Sequence, residues 1–175
     1  MTISRKEREH KRQRNEILKV AERLFARKSF HKATIQEIAK KSEFSVGTIY
    51  NFFKSKDHLY MQVVWKKARE IDRKLRDAIA EKDTIIEKLD NFLRAKAEFF
   101  QENQEFIRLY FMETQGVTFS LKQALNKKLR RLYDEFLRHF SEVLSQGIKD
   151  NLFRQIDPYY LGLALDGLSN TFFIN

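Results

Sequence analysis

The segment SVGTIYNFFKSK, residues 45–56, places a glycine, three aromatic residues and two lysines within about one short helix. Ser45 is a favourable N-cap, and apolar residues follow it at helical spacing. Ile49 and Phe53 are therefore expected to face the protein interior. The remaining face would present Gly47 and Asn51 outward. The residues on either side of this segment indicate what the outward face binds.

Helices are expected on both sides of the segment. Thr34 is a good N-cap and Glu37 completes a capping box with it, which predicts a short helix ending near residue 41. Upstream, the apolar positions from Ile17 to Phe25 form one stripe and predict a first helix of about 18 residues. Downstream, a long helix is expected from about Lys56 to Ala80. Two short helices joined by a turn of about four residues are the helix-turn-helix arrangement.

In this arrangement the second short helix lies in the major groove of DNA, and its N-terminal residues meet the base edges. A glycine in its first turn would let the two backbones approach, and a threonine can offer a hydroxyl or a methyl group to a base. An asparagine can bond a base edge or a phosphate, and a tyrosine whose ring lies against the domain keeps its hydroxyl free for a phosphate. Lysines at the helix end would meet phosphates of the flanking strand. The candidate DNA contacts in the segment are Gly47, Thr48, Tyr50, Asn51, Lys54 and Lys56.

Positive charge is concentrated in the first half of the chain. The 175 residues carry a net charge of +10, and residues 1–80 hold 21 basic against 10 acidic residues, while residues 81–175 hold 13 against 14. The second half instead contains 11 of the 16 phenylalanines. A basic half suits a polyanion, either nucleic acid or an acidic membrane surface, and an aromatic half suits a large apolar interior.

Composition excludes several classes of protein. One proline and five glycines leave few of the turns that an all-β fold needs, so a mostly helical chain is expected. The absence of cysteine excludes disulfides and cysteine nucleophiles and suits a cytoplasmic protein. The sequence has no apolar run long enough for a membrane-spanning helix and no signal peptide. It has no catalytic pattern, no metal-ligand spacing among its four histidines and no cofactor motif.

The longer segment ATIQEIAKKSEFSVGTIYNFFKSKDHLY, residues 33–60, resembles the DNA-binding signature of TetR-type bacterial transcriptional regulators. The resemblance implies an all-α protein. A helix-turn-helix DNA-binding domain would occupy residues 1–54, and a helical effector-binding and dimerisation domain residues 55–175. The resemblance also adds residues to the candidate DNA contacts, namely Thr34, Ser45 and Val46.

Two positions depart from the family pattern. The second short helix, which would read the bases, is called the reading helix below. Glu43 stands where the turn before it commonly has glycine, and a left-handed backbone there would cost a glutamate about 1 kcal/mol. Val46 stands where many relatives carry a polar or basic residue. An apolar side chain favours contact with a thymine methyl group over a hydrogen bond to guanine.

Four further helices are expected in the second half, at about residues 85–100, 106–112, 121–144 and 157–173. The last opens with Asp157 as N-cap and a proline at the first helical position. Members of the family usually continue into one more helix, so either a native chain extending past Asn175 or a short member of the family is expected. The last predicted helix has too many large apolar side chains for one buried stripe, and with the helix before it should form a two-fold interface. These side chains are Tyr160, Leu161, Leu163, Leu165, Leu168, Phe172 and Phe173.

The family resemblance also implies an effector pocket in the second half. Its candidate lining is almost entirely apolar, and burying an isolated charge there would be costly, so a hydrophobic effector is expected. It could be an acyl chain, a drug-like cation held against ring faces or an aromatic compound. The alternative is that the same rings fill a solid core. The candidate lining residues are Phe92, Phe99, Phe100, Phe106, Leu109, Tyr110, Met112, Phe136 and Phe140.

The sequence thus predicts a repressor that binds a palindromic operator as a homodimer, with reading helices about 34–36 Å apart. Ligand binding would tilt the long helix and change that separation. Two alternatives belong to other classes. A basic helical module would associate with a membrane surface or a protein, without regard to DNA sequence. A small helical enzyme would need a catalytic constellation that the sequence lacks.

Overall fold

The computed structural model describes residues 4–80, 84–107 and 119–174, with side chains as far as Phe173 and, in the helix that begins at Phe119, from Asn126 onward. Within these ranges the chain is helical and contains no strand. The helices are α1 (Arg5–Lys32), α2 (Ile35–Lys41), α3 (Val46–Phe52), α4 (Lys56–Ala80), α5 (Ile85–Glu102), α6 (Phe119–Lys149) and α7 (Pro158–Ile174).

The predicted helices are largely confirmed. α4 has the expected bounds, and α7 begins at Pro158 after Asp157, whose carboxylate accepts a backbone N–H at 2.8 Å. The helix expected at residues 106–112 lies mostly outside the described residues. The prediction for α1 was too short, because this helix begins at Arg5, about three turns before the apolar stripe that predicted it.

The described residues cluster into two compact units. The first unit holds the residues up to Lys66 and the described residues between Glu105 and Leu125. The second holds Lys67–Gln104 and the residues from Asn126 onward. Packing thus divides the chain within α4, whereas the domain boundary expected after residue 54 stays a prediction.

Apolar side chains from α1 to α4 close the first unit. Its fully buried members include Ile17, Phe25, Ile38, Ile49 and Leu59. Burying each such side chain stabilises the fold by roughly 1.5–3 kcal/mol. Ile49 and Phe53 face inward as the sequence predicts, and they fix the orientation of α3 on its neighbours.

A stack of three phenylalanine rings lies at the centre of the second unit. The ring centroids of Phe92 and Phe140 are 4.6 Å apart, and those of Phe136 and Phe140 are 5.7 Å apart. None of the three is more than 3% exposed. Ile79 of α4 and Leu144 of α6 belong to the same cluster, which therefore joins three helices.

The turn between α2 and α3 depends on one left-handed residue. The N–H of Phe44 donates to the carbonyl of Ala39 at 3.0 Å, and the N–H of Glu43 donates to that of Lys40 at 3.4 Å. This is a Schellman motif, in which the left-handed position is usually glycine. Glu43 has a φ of 59°, which confirms the left-handed backbone considered from the sequence. Asn151 after α6 has a φ of 56°, but asparagine tolerates this conformation better.

We expect Glu43→Gly to raise the free energy of unfolding by about 1 kcal/mol, because glycine has no Cβ to conflict with the left-handed backbone. Urea denaturation would measure the change. Glu43→Ala is the matched control, since it removes the carboxylate but keeps the Cβ, and it should give no such gain. Equal gains from both variants would assign the effect to the carboxylate instead of the backbone.

Candidate nucleic-acid interface

α3 buries one face and exposes the other. The outward face carries Val46, Gly47, Tyr50 and Asn51, which follow one another at helical spacing. Val46 is 37% exposed and Tyr50 50% exposed, although the sequence analysis expected the ring of Tyr50 to lie against the domain. Tyr50 is therefore accessible to a partner, and its ring is not packed fully against the domain.

Gly47 has no packing reason to be glycine. It lies within α3 with an ordinary helical φ, and a Cβ built on it would meet only the Oγ of Ser45, at 3.6 Å. Glycine destabilises a helix by roughly 0.5–1 kcal/mol relative to alanine. α3 therefore carries a residue that lowers helix stability at a position where its surface is exposed.

Two hydroxyl groups meet at the start of α3. Ser45 is the N-cap, and its Oγ accepts the N–H of Thr48 at 3.0 Å. The hydroxyls of Ser45 and Thr48 are also 2.8 Å apart, and either can donate. A hydroxyl has one proton, so whichever group donates, the other keeps its own proton for an external acceptor. The pair thus offers one donor beside the outward face.

The N-cap of α2 is the other candidate hydroxyl. Thr34 is exposed and forms the predicted capping box, with Oγ1 accepting the N–H of Glu37 at 3.2 Å. Lys28 donates to the same glutamate, and this ion pair holds the pKa of Glu37 below its ordinary value. The hydroxyl oxygen of Thr34 is thus committed to the helix end, while its proton remains a possible donor to phosphate.

The two candidate lysines differ in their surroundings. Lys54 is exposed at the end of α3. The Nζ of Lys56 donates to the carbonyls of Phe30 at 2.9 Å and Ala33 at 3.2 Å, and it lies 4.4 Å from the ring centroid of Phe30. Lys56 therefore binds the C-terminal end of α1 within the first unit. Its expected contact with DNA phosphate stays a prediction and would have to share the ammonium group with these carbonyls.

Lys56 supports a strained turn. Ser29, near the end of α1, has φ 74° and ψ 161°, a region that is populated almost only by glycine. The N–H of Ala33 donates to the carbonyl of Ser29 at 3.2 Å, and the lysine ammonium satisfies carbonyls that follow. The chain between α1 and α2, on which the placement of α2 depends, is thus held by a residue 23 positions later.

The expected ligand-lining residues do not form one group. Phe92, Phe136 and Phe140 pack against one another, which is the solid-core alternative for these three. Phe99 is buried and Phe100 is half-buried, and both lie on α5. Of the remaining four residues, Phe106 is buried in the first unit. The other three lie outside the described residues, namely Leu109, Tyr110 and Met112.

A buried charged network in the second unit was missed by the sequence analysis. The Nζ of Lys96 on α5 donates to the Oδ1 of Asp166 at 2.5 Å and to the Oγ of Ser169 at 2.7 Å, both on α7. Tyr133 of α6 donates to the other carboxylate oxygen at 2.8 Å, as Asn170 does at 3.1 Å. Lys96 is 2% exposed and Asp166 4% exposed.

Sequence signals for this network did exist. Lys96 continues the helical spacing of Ile85, Leu89, Phe92 and Phe99, and Asp166 is the one charged residue of α7. A lysine on an apolar stripe and a single aspartate in an apolar helix are each expected to pair with an oppositely charged or polar group. Burial lowers the pKa of Lys96, and the pairing with Asp166 partly offsets this effect.

Metal sites and membrane-spanning helices were sought among the described residues. These residues contain no group of three or more side chains placed to hold a metal ion. None of the helices in the described ranges is long and apolar enough to cross a membrane.

Comparison with known proteins identifies the family. Residues 17–63 match the family model "Bacterial regulatory proteins, tetR family", and residues 82–173 match "Tetracyclin repressor-like, C-terminal domain". The first match contains the helix-turn-helix segment, and the second alone covers more than half of the chain.

Individual relatives agree with these matches. The uncharacterized HTH-type transcriptional regulator YfiR of Bacillus subtilis is 29% identical, over 86% of this chain and 73% of its own length. The fatty acid degradation regulator FadR of Bacillus halodurans has a similar structure, with a TM-score of 0.77 at 20% identity, covering 93% of this chain and 82% of that one. FadR of Bacillus subtilis in complex with stearoyl-CoA gives a TM-score of 0.74 at 20% identity, covering 91% and 84%. The chain therefore belongs to the tetR family of bacterial regulatory proteins and is a DNA-binding transcriptional regulator.

Proposed function

We propose that this regulator is a cytoplasmic repressor that binds a palindromic operator as a homodimer and leaves it when a hydrophobic effector binds. The outward face of α3 carries the DNA-binding part of the proposal, because Gly47 occupies open space there beside exposed Val46, Tyr50 and Asn51. Folding gives no reason for this composition. A helix that enters a major groove needs a small residue for close approach and polar groups for base edges. The proposal requires no catalytic step.

Different residues would read the bases and bind the DNA backbone. The hydroxyl pair of Ser45 and Thr48 and the amide of Asn51 would read base edges, and Val46 would contact a thymine methyl group. Lys54 would hold a phosphate, which orients the protein without reading sequence. A membrane-surface module would use the basic charge but would leave this grouping of side chains unexplained.

We expect Thr48→Ala and Lys54→Ala to affect DNA binding in different ways. Thr48→Ala should change the preferred base at one or two positions of each half-site and cost about 1–3 kcal/mol on the wild-type operator. Lys54→Ala should weaken binding to all duplexes about equally and lower the salt slope by about one per half-site. Selection from a random duplex library, followed by fluorescence anisotropy at several salt concentrations, measures both effects.

Lys149→Ala is the matched control, since this exposed lysine lies in the second unit, and it should change neither quantity. A changed base preference in Lys54→Ala, with none in Thr48→Ala, would contradict the assignment of reading and holding.

The exposed stripe of α7 is the proposed dimer surface. Its large members are Tyr160, Leu163, Leu168 and Phe172, which are 64%, 39%, 62% and 81% exposed. The small residues Ala164 and Gly167 lie between them at helical spacing and are also exposed. A continuous apolar stripe of this kind marks a protein–protein interface, and a two-fold axis would pair it with the same stripe of a second copy.

We expect Leu168→Glu to weaken the dimer at least tenfold, because it would bury a carboxylate without a partner in the interface. Analytical ultracentrifugation across micromolar concentrations measures the dimer affinity. Ile86→Glu on α5 is a closely matched control, since Ile86 is 59% exposed but lies outside the stripe. If the two variants dimerised equally well, α7 would not form the interface.

The effector is proposed to be a long-chain acyl compound. The support is the apolar composition of the second half, together with the stearoyl-CoA bound to FadR of Bacillus subtilis, whose fold this chain shares. Of the expected lining residues, those outside the Phe92–Phe136–Phe140 stack are the better candidates. Coupling to DNA would pass through α4, which contributes residues to both compact units.

Stearoyl-CoA, stearate and free coenzyme A together test the effector. An acyl ligand should raise the melting temperature and release the selected operator, since it would bind the free form more tightly than the DNA-bound form. Free coenzyme A should do neither. Release by a small anionic metabolite, with no response to any acyl compound, would overturn this part of the proposal without affecting DNA binding.

A further inference from the structure

The first three turns of α1 lie outside the core of the first unit. Residues 5–12 are all exposed, and the first buried side chain of the helix is Ile17. Residues 4–14 hold six basic and two acidic side chains. The helix nevertheless has a well-formed start, because Ser4 and Glu7 cap it reciprocally, with bonds of 2.9 and 3.2 Å. This segment is thus a capped helix in which none of the residues 5–12 is buried.

Contacts with neighbouring helices fix the direction of this segment. The ring of His10 packs on Phe52, the last residue of α3, with centroids 4.5 Å apart. The guanidinium of Arg14 lies 5.3 Å from the ring centroid of Phe53 and donates to the Oε1 of Gln62 at 2.6 Å. The N-terminal turns of α1 therefore pass beside the end of the reading helix.

The cations of the segment divide between two sides of α1. Lys6 is one turn before His10 and lies within about 40° of it around the helix, and Lys11 lies at the other edge of that face, about 100° from His10 on the side toward Arg8. Arg5 and Arg8 point to the opposite side by the same helical geometry. Lys6, Arg8 and Lys11 form no ion pair within the described part of the chain, whereas Arg5 interacts electrostatically with Glu9, which also pairs with Arg12 at 2.7 Å.

We propose that Lys6 and Lys11 form a second DNA contact, which holds the phosphate backbone just outside the base pairs that α3 reads. The inference rests on the proposed placement of α3 in the major groove. Lys6 and Lys11 are five residues apart, about 7.5 Å along the helix axis at 1.5 Å per residue. That length covers roughly two phosphates of one DNA strand, which are spaced by about 3.4 Å along the axis. The partner is double-stranded DNA of any sequence flanking each half-site.

Duplexes of two lengths test this contact. Selection with the wild-type protein supplies a palindromic site, which is then made as a short duplex ending at its outermost specified base pairs and as a long duplex with several arbitrary base pairs added at each end. The two probes are bound to wild type, to Lys6→Gln/Lys11→Gln and to Arg5→Gln/Arg8→Gln. Both double variants remove two exposed cations from the same helical turns, so they match in net charge.

On the long duplex we expect Lys6→Gln/Lys11→Gln to lose at least tenfold in affinity and to lower the salt slope by about 3–4 per dimer, at roughly 0.9 per phosphate contact. Arg5→Gln/Arg8→Gln should change the slope by less than about one. On the short duplex all three proteins should bind alike. Unchanged helical circular dichroism and melting temperature would show that neither variant acts by unfolding.

Two results would overturn the inference while leaving the reading helix in place. One is an equal loss for the two double variants on the long duplex, which would indicate a diffuse field instead of a contact. The other is wild-type affinity that does not depend on duplex length. Association with phosphatidylglycerol vesicles that only Lys6→Gln/Lys11→Gln abolishes, with binding to the long duplex unchanged, would likewise assign this surface to membrane. Failure of wild type to select any duplex would instead reject the proposed function itself.

Discussion

Replacing Lys96 by alanine is expected to lower the free energy of unfolding by about 3–5 kcal/mol, the range for removing one partner of a buried ion pair. The ammonium is 2% exposed and donates to a carboxylate, a backbone carbonyl and a hydroxyl of α7. Without it, the Asp166 carboxylate keeps the bonds from Tyr133 and Asn170 but stays buried with its charge unbalanced. Chemical denaturation at neutral pH measures the loss.

A surface pair on the same helix supplies the control. Arg94 donates to Asp90 at 2.7 Å, but these side chains are 71% and 57% exposed. Arg94→Ala should therefore change stability by no more than about 0.5 kcal/mol. If Lys96→Ala and Arg94→Ala lowered the free energy of unfolding equally, burial would not determine how much an ion pair contributes to stability.

A double-mutant cycle separates the ion pair from packing. Asp166→Asn alone leaves the Lys96 charge buried, and Lys96→Met alone leaves the Asp166 charge buried. The double variant Lys96→Met/Asp166→Asn removes both charges and keeps most of the volume. The double variant should be more stable than the sum of the single losses predicts, by at least 1 kcal/mol, because the two residues are in direct contact. Additive losses would show that the two charges are not coupled.

Local patterns in the sequence predicted most of the fold. Helical spacing and caps located α2, α3, α4 and α7, because a capping box or an Asp-Pro pair acts within a few residues of the chain. A left-handed backbone at Glu43 was considered because the family pattern commonly has glycine at that position of the turn. Capping boxes and Asp-Pro pairs depend on neighbours in sequence, which are visible before any tertiary structure is known.

The first turns of α1 were not predictable by the same method. Periodicity detects a helix through its buried stripe, and none of the residues 5–16 is buried. Only the reciprocal cap of Ser4 and Glu7 marks the start of this helix in sequence. The aromatic contact between His10 and Phe52 joins residues 42 positions apart, so no local pattern contains it.

Long-range pairing also explains why two functional assignments from sequence are incomplete. A lysine before a long helix resembles a phosphate contact, but the Lys56 ammonium caps carbonyls 23 to 26 positions earlier. Lys96 and Asp166 are separated by 70 positions and were each overlooked among apolar neighbours. In both cases the residue type was informative, and its partner was set by tertiary packing.

Gly47→Leu is expected to lower operator affinity at least a hundredfold, about 2.7 kcal/mol, while raising the melting temperature. The side chain would fill the space through which α3 approaches the DNA, and a Cβ at this position meets nothing within the chain closer than 3.6 Å. Leucine is also a better helix former than glycine, by roughly 0.5–1 kcal/mol. Stability and DNA binding should therefore change in opposite directions, as thermal denaturation and fluorescence anisotropy on the selected operator would measure.

Gly47→Ala makes the argument quantitative. It should gain about the same stability as leucine, since most of the gain comes from the helix propensity, but lose less affinity because a methyl group is smaller. Operator affinity should thus be highest for the wild type, lower for Gly47→Ala and lowest for Gly47→Leu. The two variants should differ little in stability. A loss of both stability and affinity would mean that Gly47 serves packing, and unchanged affinity in Gly47→Leu would mean that α3 does not enter the groove by this face.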